Sequence, residues 1–413
     1  MKHIQKETSR VVNNKTQKID TDIFDNVVTN ELLEKYKHRT VINSNYIFEK
    51  KIGSGSFGTI YRGKNIISDE KVAIKFEATT ANTPTLLWES KLLNYLSGVT
   101  GVPKLRYFGT EANKNIIVMD LYSHNLHEEI NNLKNNKSNN ADIIVEKTEK
   151  TEIDESNSDS DLSNRNNTPE SDSLNDKVNK YIVESTVHNL NPNYIEMNKQ
   201  NKIVEDKEFS NDIDTTSEIF EENIVVSLDT NIQKNKNNII VKEITKYFIT
   251  ILQIINKIHD IGIVHRDIKP ENFMIGLSDT VDGGIEKKLY IIDFGISSFY
   301  IKNDKHIINN KSGVVGTPLF MSRHIHEENT YSRRDDIISI LYVIIYLIKD
   351  TLPWDGYKLS AYDKKVITTS EELCAGMPHI FQKLLDYAYS LNFEEKPDYS
   401  YMIRQCKMLI KTL

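Results

Sequence analysis

The sequence predicts an α+β chain in two lobes, a small β-rich one followed by a larger, mainly helical one. From Tyr46 to Tyr122, short runs alternate apolar and polar residues and break at Gly or Asn, the pattern of strands joined by turns. After residue 238 the apolar residues recur at helical spacing over long stretches. The chain's 413 residues also exceed what one ordinary core organises, so a second lobe and extra sequence are expected.

Residues 1–45 form a polar N-terminal extension, and "MKHIQKETSRVVNNKTQKID" lacks the apolar core of a secretory signal. The first lobe, with its link to the second, spans 46–122. There "YIFEKKIG", "GTIYRGKN" and "KVAIKFEA" read as strands. "TLLWESKLLNYLSG" reads as a helix whose packed face holds Leu86, Leu87, Leu92, Leu93 and Leu96, and "LRYFGTEANKNIIVMDL" returns to strand. The second lobe, 123–413, is interrupted by an acidic, Asn-rich insert at 131–238. That insert carries 22 acidic against 12 basic residues, so it accounts for the net charge of −7 and leaves the rest slightly basic. With few aromatics it buries too little apolar surface to offset its ordering entropy, and disorder is expected there. Helices follow at "VKEITKYFITILQIINKIHDIG", "DDIISILYVIIYLIK" and "MPHIFQKLLDYAYSL". The apolar run "IISILYVIIYLI" is about 12 residues long, short of the roughly 18 to 20 needed to cross a bilayer, and is expected as a buried helix. Two cysteines without CxxC spacing exclude a disulfide framework and a zinc ribbon, and point to a reducing compartment.

The chemistry lies in four motifs. "GSGSFG", Gly53 to Gly58, fits G-x-G-x-x-G, which by itself suits a dinucleotide site or a phosphate-covering hairpin. Its position between two strands favours the hairpin, whose amides approach phosphates where no Cβ intervenes. "VAIK" ends at Lys75, and Glu89 on the following helix is spaced to hold that lysine against two phosphates. "HRDIKPEN" supplies His265, Arg266, Asp267, Lys269 and Asn272, and "IIDFG" supplies Asp293. The spacing lets Asp267 accept a hydroxyl proton while Asn272 and Asp293 hold Mg2+ against the phosphates of ATP.

With these motifs in this order, the chain resembles the eukaryotic protein kinase superfamily over about Tyr46 to Leu413, insert excepted. The resemblance implies the bilobal protein-kinase-like fold, ATP and Mg2+ as cofactors, and protein substrates. Lys269 looks like the serine/threonine type, and by resemblance would contact the transferring phosphoryl group while Thr317 braces Asp267 and Lys269. The resemblance also implies a nucleotide site made from Ile52, Gly53, Ser54, Gly55, Ser56, Phe57, Gly58, Ile60, Ala73 and Lys75. Met119 would border the adenine, and Asp120 and Tyr122 would offer hinge backbone groups, with Asn272 and Asp293 on the metal. Val72, Ala73 and Ile60 are candidate adenine walls, and equally what a buried strand contains.

"KIGSGSFGTIYRG", "WESKLL", "GVPKLRYFG", "SRRDD", "LPW" and "LNFEEKPDYSYM" are similar to the casein kinase 1 family. That family carries a Ser-Ile-Asn type sequence after its activation segment, where this chain has Ser322-Arg323-His324. "GTPLFMSRHIH" is therefore expected as the substrate-receiving loop, with His324 and His326 as loop-packing residues and Asp336 bonded to the catalytic-loop backbone. Arg266 is either an anchor for an activation-loop phosphate or, in a constitutively competent enzyme, unused as one. Two departures concern substrate choice: Leu319 stands where family members carry a phosphate-reading arginine, and the basic run after Leu-Pro-Trp is reduced to Lys358, Lys364 and Lys365. Leucine cannot replace a guanidinium fork, so primed substrates are expected to hold little advantage. Expected partners are proteins with Ser or Thr in acidic context, with no nucleic acid or membrane and a monomeric state, in cytoplasm and/or nucleus. The insert, with Ser158 and Ser173 behind glutamates, reads either as a self-regulatory segment or as an inert spacer. A catalytically weak scaffold of the same fold is the competing reading.

Overall fold

The computed structural model describes residues 41–55, 58–81, 84–135, 213–280, 284–327, 329–356 and 361–413. Ser56, Phe57, Ser158, Ser173, Lys358, the first 40 residues and most of the insert lie outside the described residues. Two units divide the chain, 1–136 with 237–413, and 137–236. Of the second, the described part is helical backbone from Ile213 onward.

The first unit begins with a six-stranded sheet of order β1-β2-β3-β4-β6-β5, every neighbouring pair antiparallel. Its strands are β1 (Val41–Ile42), β2 (Tyr46–Gly55), β3 (Gly58–Asn65), β4 (Lys71–Ala78), β5 (Leu105–Glu111) and β6 (Lys114–Asp120). The sheet therefore starts inside the expected N-terminal extension, because Ile42 has an apolar pocket to fill beside Tyr46 and Val72. The β5–β6 turn is tight, with Ala112 and Asn113 at φ of 48° and 60°, the geometry that suits the twist of a two-residue hairpin. Helix α1 (Leu86–Tyr95) buries Leu86, Leu92 and Leu93. Leu87 is 47% exposed, a correction to the expected face: one residue on from Leu86, it is rotated by about 100° away from the sheet.

The helical part comprises residues 126–135 (α2), α3 (Ile213–Asp260), α4 (Arg323–His326), α5 (Arg333–Lys349), α6 (Ala361–Ile367), α7 (Ser370–Leu373), α8 (His379–Ser390) and α9 (Tyr399–Thr412). Helical backbone thus reaches into the expected insert from both ends, through residue 135 and from Ile213. Helix α5 is buried from Asp335 to Ile345, where the mostly apolar residues from Ile337 onward leave no polar face, and packs against Phe381, Leu384 and Leu385 of α8 in the main core. Its start is fixed by Ser332, whose amide donates to Asp335 Oδ2 at 2.8 Å. No helix among the described residues is long and apolar enough to cross a membrane.

Just before α2, and again between α3 and α4, lie short strands that the helical periodicity of the second lobe does not announce. β7 (His124–Asn125), β9 (Phe273–Asp279) and β10 (Ile285–Ile291) form one small sheet, and β8 (Ile263–Val264) pairs with β11 (Ser298–Phe299). These strands carry "HRDIKPEN" and "IIDFG" between them, so they position the chemistry.

Candidate active site

Strand alternation builds the first half of the site. Along β4, Val72 and Ile74 enter the small core, while Ala73 belongs with Met119 and Leu86 in the main one. Lys75 and Glu77 share the face of Ala73 because side chains two apart point the same way. Glu77 then caps α1: its Oε1 accepts from the Thr85 amide at 2.7 Å and hydroxyl at 3.0 Å, and its Oε2 from the Leu86 amide at 3.2 Å. A carboxylate there satisfies orphan amides and favours the helix dipole. The helix so anchored presents Glu89, whose Oε2 accepts from Lys75 Nζ at 2.8 Å, and Lys75 also reaches Asp293 Oδ1 at 3.0 Å. Burial opposes the charge on Lys75, but Glu89 and Asp293 overcome it and hold the amine above the usual lysine range. Burial likewise works against the Asp293 carboxylate, and Lys75 holds it below its ordinary range.

The second half rests on Asp336, fully buried at the start of α5. Its Oδ2 accepts from the His265 amide at 2.7 Å and from His259 Nε2 at 2.9 Å, and its Oδ1 from the Arg266 amide at 3.0 Å. These bonds hold Arg266 at φ 73°, a conformation that L residues rarely adopt, and so set the direction of the chain at Asp267. Asp267 Oδ1 accepts from Thr317 Oγ1 at 2.7 Å, and Oδ2 from Lys269 Nζ at 2.6 Å and Asn272 Nδ2 at 3.2 Å. Asn272 also donates to the Asp267 carbonyl at 2.8 Å. Thr317 can approach because Gly316, at φ 115°, has no Cβ; one there would sit 2.6 Å from the Arg266 carbonyl oxygen. His265 accepts from the Asp267 amide at Nδ1, 3.3 Å away, so its Nε2 donates to the Ile292 carbonyl at 3.0 Å. This ring supports the loop.

Asp293 follows directly on Ile292, whose amide donates to the Asn272 carbonyl at 2.9 Å, so the chain brings these two residues to one place. The Asn272 side chain commits its nitrogen to Asp267, so its amide oxygen and the Asp293 carboxylate are the groups that could serve as donors for a cation. Two hard oxygen donors suit Mg2+, which keeps waters and phosphate oxygens for its other positions. β3, whose Ile60 pairs with Lys75, forms a hairpin with β2 in which Gly55 opposes Gly58. Gly58 is at φ 122°, and a Cβ there would meet the Phe76 carbonyl oxygen at 2.0 Å. Ile52, Gly53, Ser54 and Ile60 lie on these two strands, and Ala73 pairs with Met119 across β4 and β6. Asp120 ends β6 with its carboxylate taken by Arg106, and Tyr122 stacks on Tyr290 at 4.3 Å.

Several residues of this framework are silent in the sequence. Trp88 Nε1 donates to the Ser297 carbonyl at 2.7 Å and ties α1 to the segment after Asp293. His259, held between Tyr399 and Asp336, has burial holding it below the usual histidine range. Lys365 contradicts its reading as a remnant of a phosphate-facing basic run: it is 1% exposed, with its ammonium turned to the carbonyls of Pro318 and Met321. Leu319 is packed against the main core, and its carbonyl accepts from Trp354. No signal in local spacing distinguishes such partners.

A pair of antiparallel-sheet and helical parts, joined through a lysine, a helix glutamate and a loop aspartate, is the arrangement of a phosphotransferase. The family model described as "Protein kinase domain" matches residues 175–413, more than half of the chain. The chain belongs to the protein kinase family, whose members are phosphotransferases that use ATP and Mg2+ and act on proteins. The matched range leaves out the six-stranded sheet, where the Lys75–Glu89 pair and the glycine hairpin extend the same fold.

Proposed function

We propose that this protein is a serine/threonine protein kinase of casein kinase 1 type that does not depend on a phosphate already present on its substrate. The observation that carries the reading is the grip on Asp267: Thr317 on one carboxylate oxygen, Lys269 and Asn272 on the other. Three donors fix the rotation of a carboxylate that must meet a hydroxyl in one direction. Asp267 takes the proton of the substrate serine or threonine, and Lys269, 2.6 Å from it, faces the charge that builds beside it. Lys75, steadied by Glu89, orients the nucleotide phosphates, and Asn272 and Asp293 hold the metal. ATP supplies the transferable phosphoryl group, and Mg2+ offsets the charge on its oxygens. Ile52, Ile60, Ala73 and Met119 enclose the adenine against the backbone of Asp120 and Tyr122. The half-buried Leu319 and the buried Lys365 support independence from priming, since neither offers a cation to a substrate phosphate.

The test is transfer of γ-phosphate to casein by the wild type and by Asp267→Asn, followed by phosphoamino-acid analysis. Loss of roughly 1,000-fold or more in kcat in the variant, with phosphoserine or phosphothreonine as product, is expected. Absence of transfer to any protein by the wild type would leave a scaffold of kinase fold. A pair of peptides, with and without phosphoserine three residues upstream, should differ by less than about tenfold in kcat/KM.

A further inference from the structure

Helix α6 carries a cation that phosphoryl transfer does not use. Lys365 Nζ lies 2.5 Å from the Pro318 carbonyl, 2.7 Å from that of Met321 and 3.1 Å from His326 Nε2. It sits 5.3 Å from the Trp354 ring centre and 5.6 Å from that of Tyr342. Among the described residues none of its hydrogen-bond partners is a carboxylate, so two carbonyl dipoles, the His326 nitrogen and ring faces offset the cost of burying the charge. Burial pushes the Lys365 amine down to about 7. Burial and the nearby Lys365 charge push His326 down to about 4, which makes its Nε2 an acceptor at neutral pH.

The carbonyls that Lys365 takes belong to the segment directly after Thr317. Trp354 Nε1 takes the one between them, donating to Leu319 O at 2.8 Å. The amides of Phe320 and Met321 fold back on the Thr317 carbonyl at 3.0 Å, closing a turn whose outer rim α6 and Trp354 hold. At the inner end of that turn Thr317 donates to Asp267.

We infer that Lys365 is a positioning residue for protein substrates: it clamps the turn Thr317–Met321 in its receiving shape, keeping Thr317 on Asp267, and does not read substrate phosphate. The inference rests on the kinase reading above. It explains how the turn is held by a side chain built into the chain, with three donors on an ammonium matched to three acceptors. Removing the proton leaves two donors, so the clamp weakens as pH rises past about 7. The groups facing Nζ are His326 of α4, Tyr342 of α5 and Trp354, while Tyr362, Asp363 and Lys364 are its neighbours on α6 itself.

Full-length wild type, Lys365→Met and Lys365→Arg are compared for peptide KM, ATP KM and kcat from pH 6 to 9, with hydrogen exchange at the Phe320 and Met321 amides. Lys365→Met is expected to raise peptide KM by about tenfold, leave ATP KM within about twofold and speed exchange at both amides. Wild-type kcat/KM for peptide should fall above about pH 7, and Lys365→Arg should abolish that fall while recovering most of the affinity. A folded Lys365→Met with unchanged peptide KM and exchange overturns the clamp. So does a wild-type preference for phosphopeptide that Lys365→Met abolishes, since the lysine then reads the anion. If Lys365→Met does not fold, Trp354→Phe, which removes the bond to Leu319 and leaves a smaller ring beside Lys365 and Tyr342, should raise peptide KM severalfold; an unchanged value overturns the clamp. If the wild type phosphorylates no protein, the kinase reading fails while amide exchange still decides the clamp.

Discussion

Substituting Asp336 by asparagine tests whether the catalytic loop owes its shape to a single buried carboxylate. The wild-type group accepts three bonds, two of them from successive backbone amides at 2.7 and 3.0 Å, and is fully buried. An asparagine of the same size must turn its NH2 toward one of those donors. With nitrogen at the Oδ1 position, the Arg266 amide loses its acceptor, a cost of about 1 to 3 kcal/mol for an unsatisfied buried group. The two bonds that remain lose charge assistance, about another 1 kcal/mol together. The sum is about 3 kcal/mol, a large share of the roughly 5 to 15 kcal/mol that holds a domain together. Urea denaturation should show a lower midpoint with unchanged slope. Because Arg266 precedes Asp267, kcat should also fall, on the order of tenfold or more, with ATP KM little affected. Stability within about 0.5 kcal/mol of wild type would refute the reasoning, since a free rearrangement would mean the carboxylate does not hold the loop. The acid limb gives a second check. Burial pushes the Asp336 carboxyl up, but His259 and the loop amides hold it below its ordinary range. Its contribution is thus present above the unfolded value of about 3.9 and lost as pH falls through the lower folded value, a loss Asp336→Asn should not show.

The neighbouring Asp335 should behave with the opposite sign. Burial raises its carboxyl to about 6, against the bonds from Ser322 and Ser332, so the folded state binds the proton more tightly than the unfolded one. Stability from this group therefore rises as pH falls from about 7 to 4, and Asp335→Asn should remove that rise in a series of denaturation midpoints; an unchanged pH profile contradicts it. Trp88→Phe keeps a ring beside Phe299 but removes the 2.7 Å bond to the Ser297 carbonyl. A loss of about 1 kcal/mol in stability and a severalfold fall in kcat are expected, measured by denaturation and by peptide phosphorylation, and equal values for both proteins contradict the tie.

How legible the site was depends on the kind of partner involved. Lys75, Glu89, Asp267, Lys269, Asn272 and Asp293 stand in the sequence as a set because the chemistry demands these residue types in this order. The structure brings them together through bonds from 2.6 to 3.2 Å. The apolar stretch of α5 was equally plain, since a run too short for a bilayer and apolar all round has only a core to enter. Leu87 shows where the pattern blurs: two adjacent leucines cannot both face one sheet, and only packing decides which is turned out. The β9–β10 hairpin escaped because its outer strand, "IEKKLYI", is exposed over four of seven positions and carries little apolar alternation.

The lobes, the order of the motifs and the set of residues expected at the phosphates could be read along the chain, because local periodicity and fixed spacings carry them. Tertiary structure alone decided that Glu77 caps α1, that Trp88 ties that helix to Ser297, and that Lys365 turns inward to the Pro318 and Met321 carbonyls. A lysine in a basic run and a lysine clamping a loop are the same letter. What separates them is the set of carbonyls that other parts of the chain bring within about 3 Å, and that proximity is a property of the folded packing.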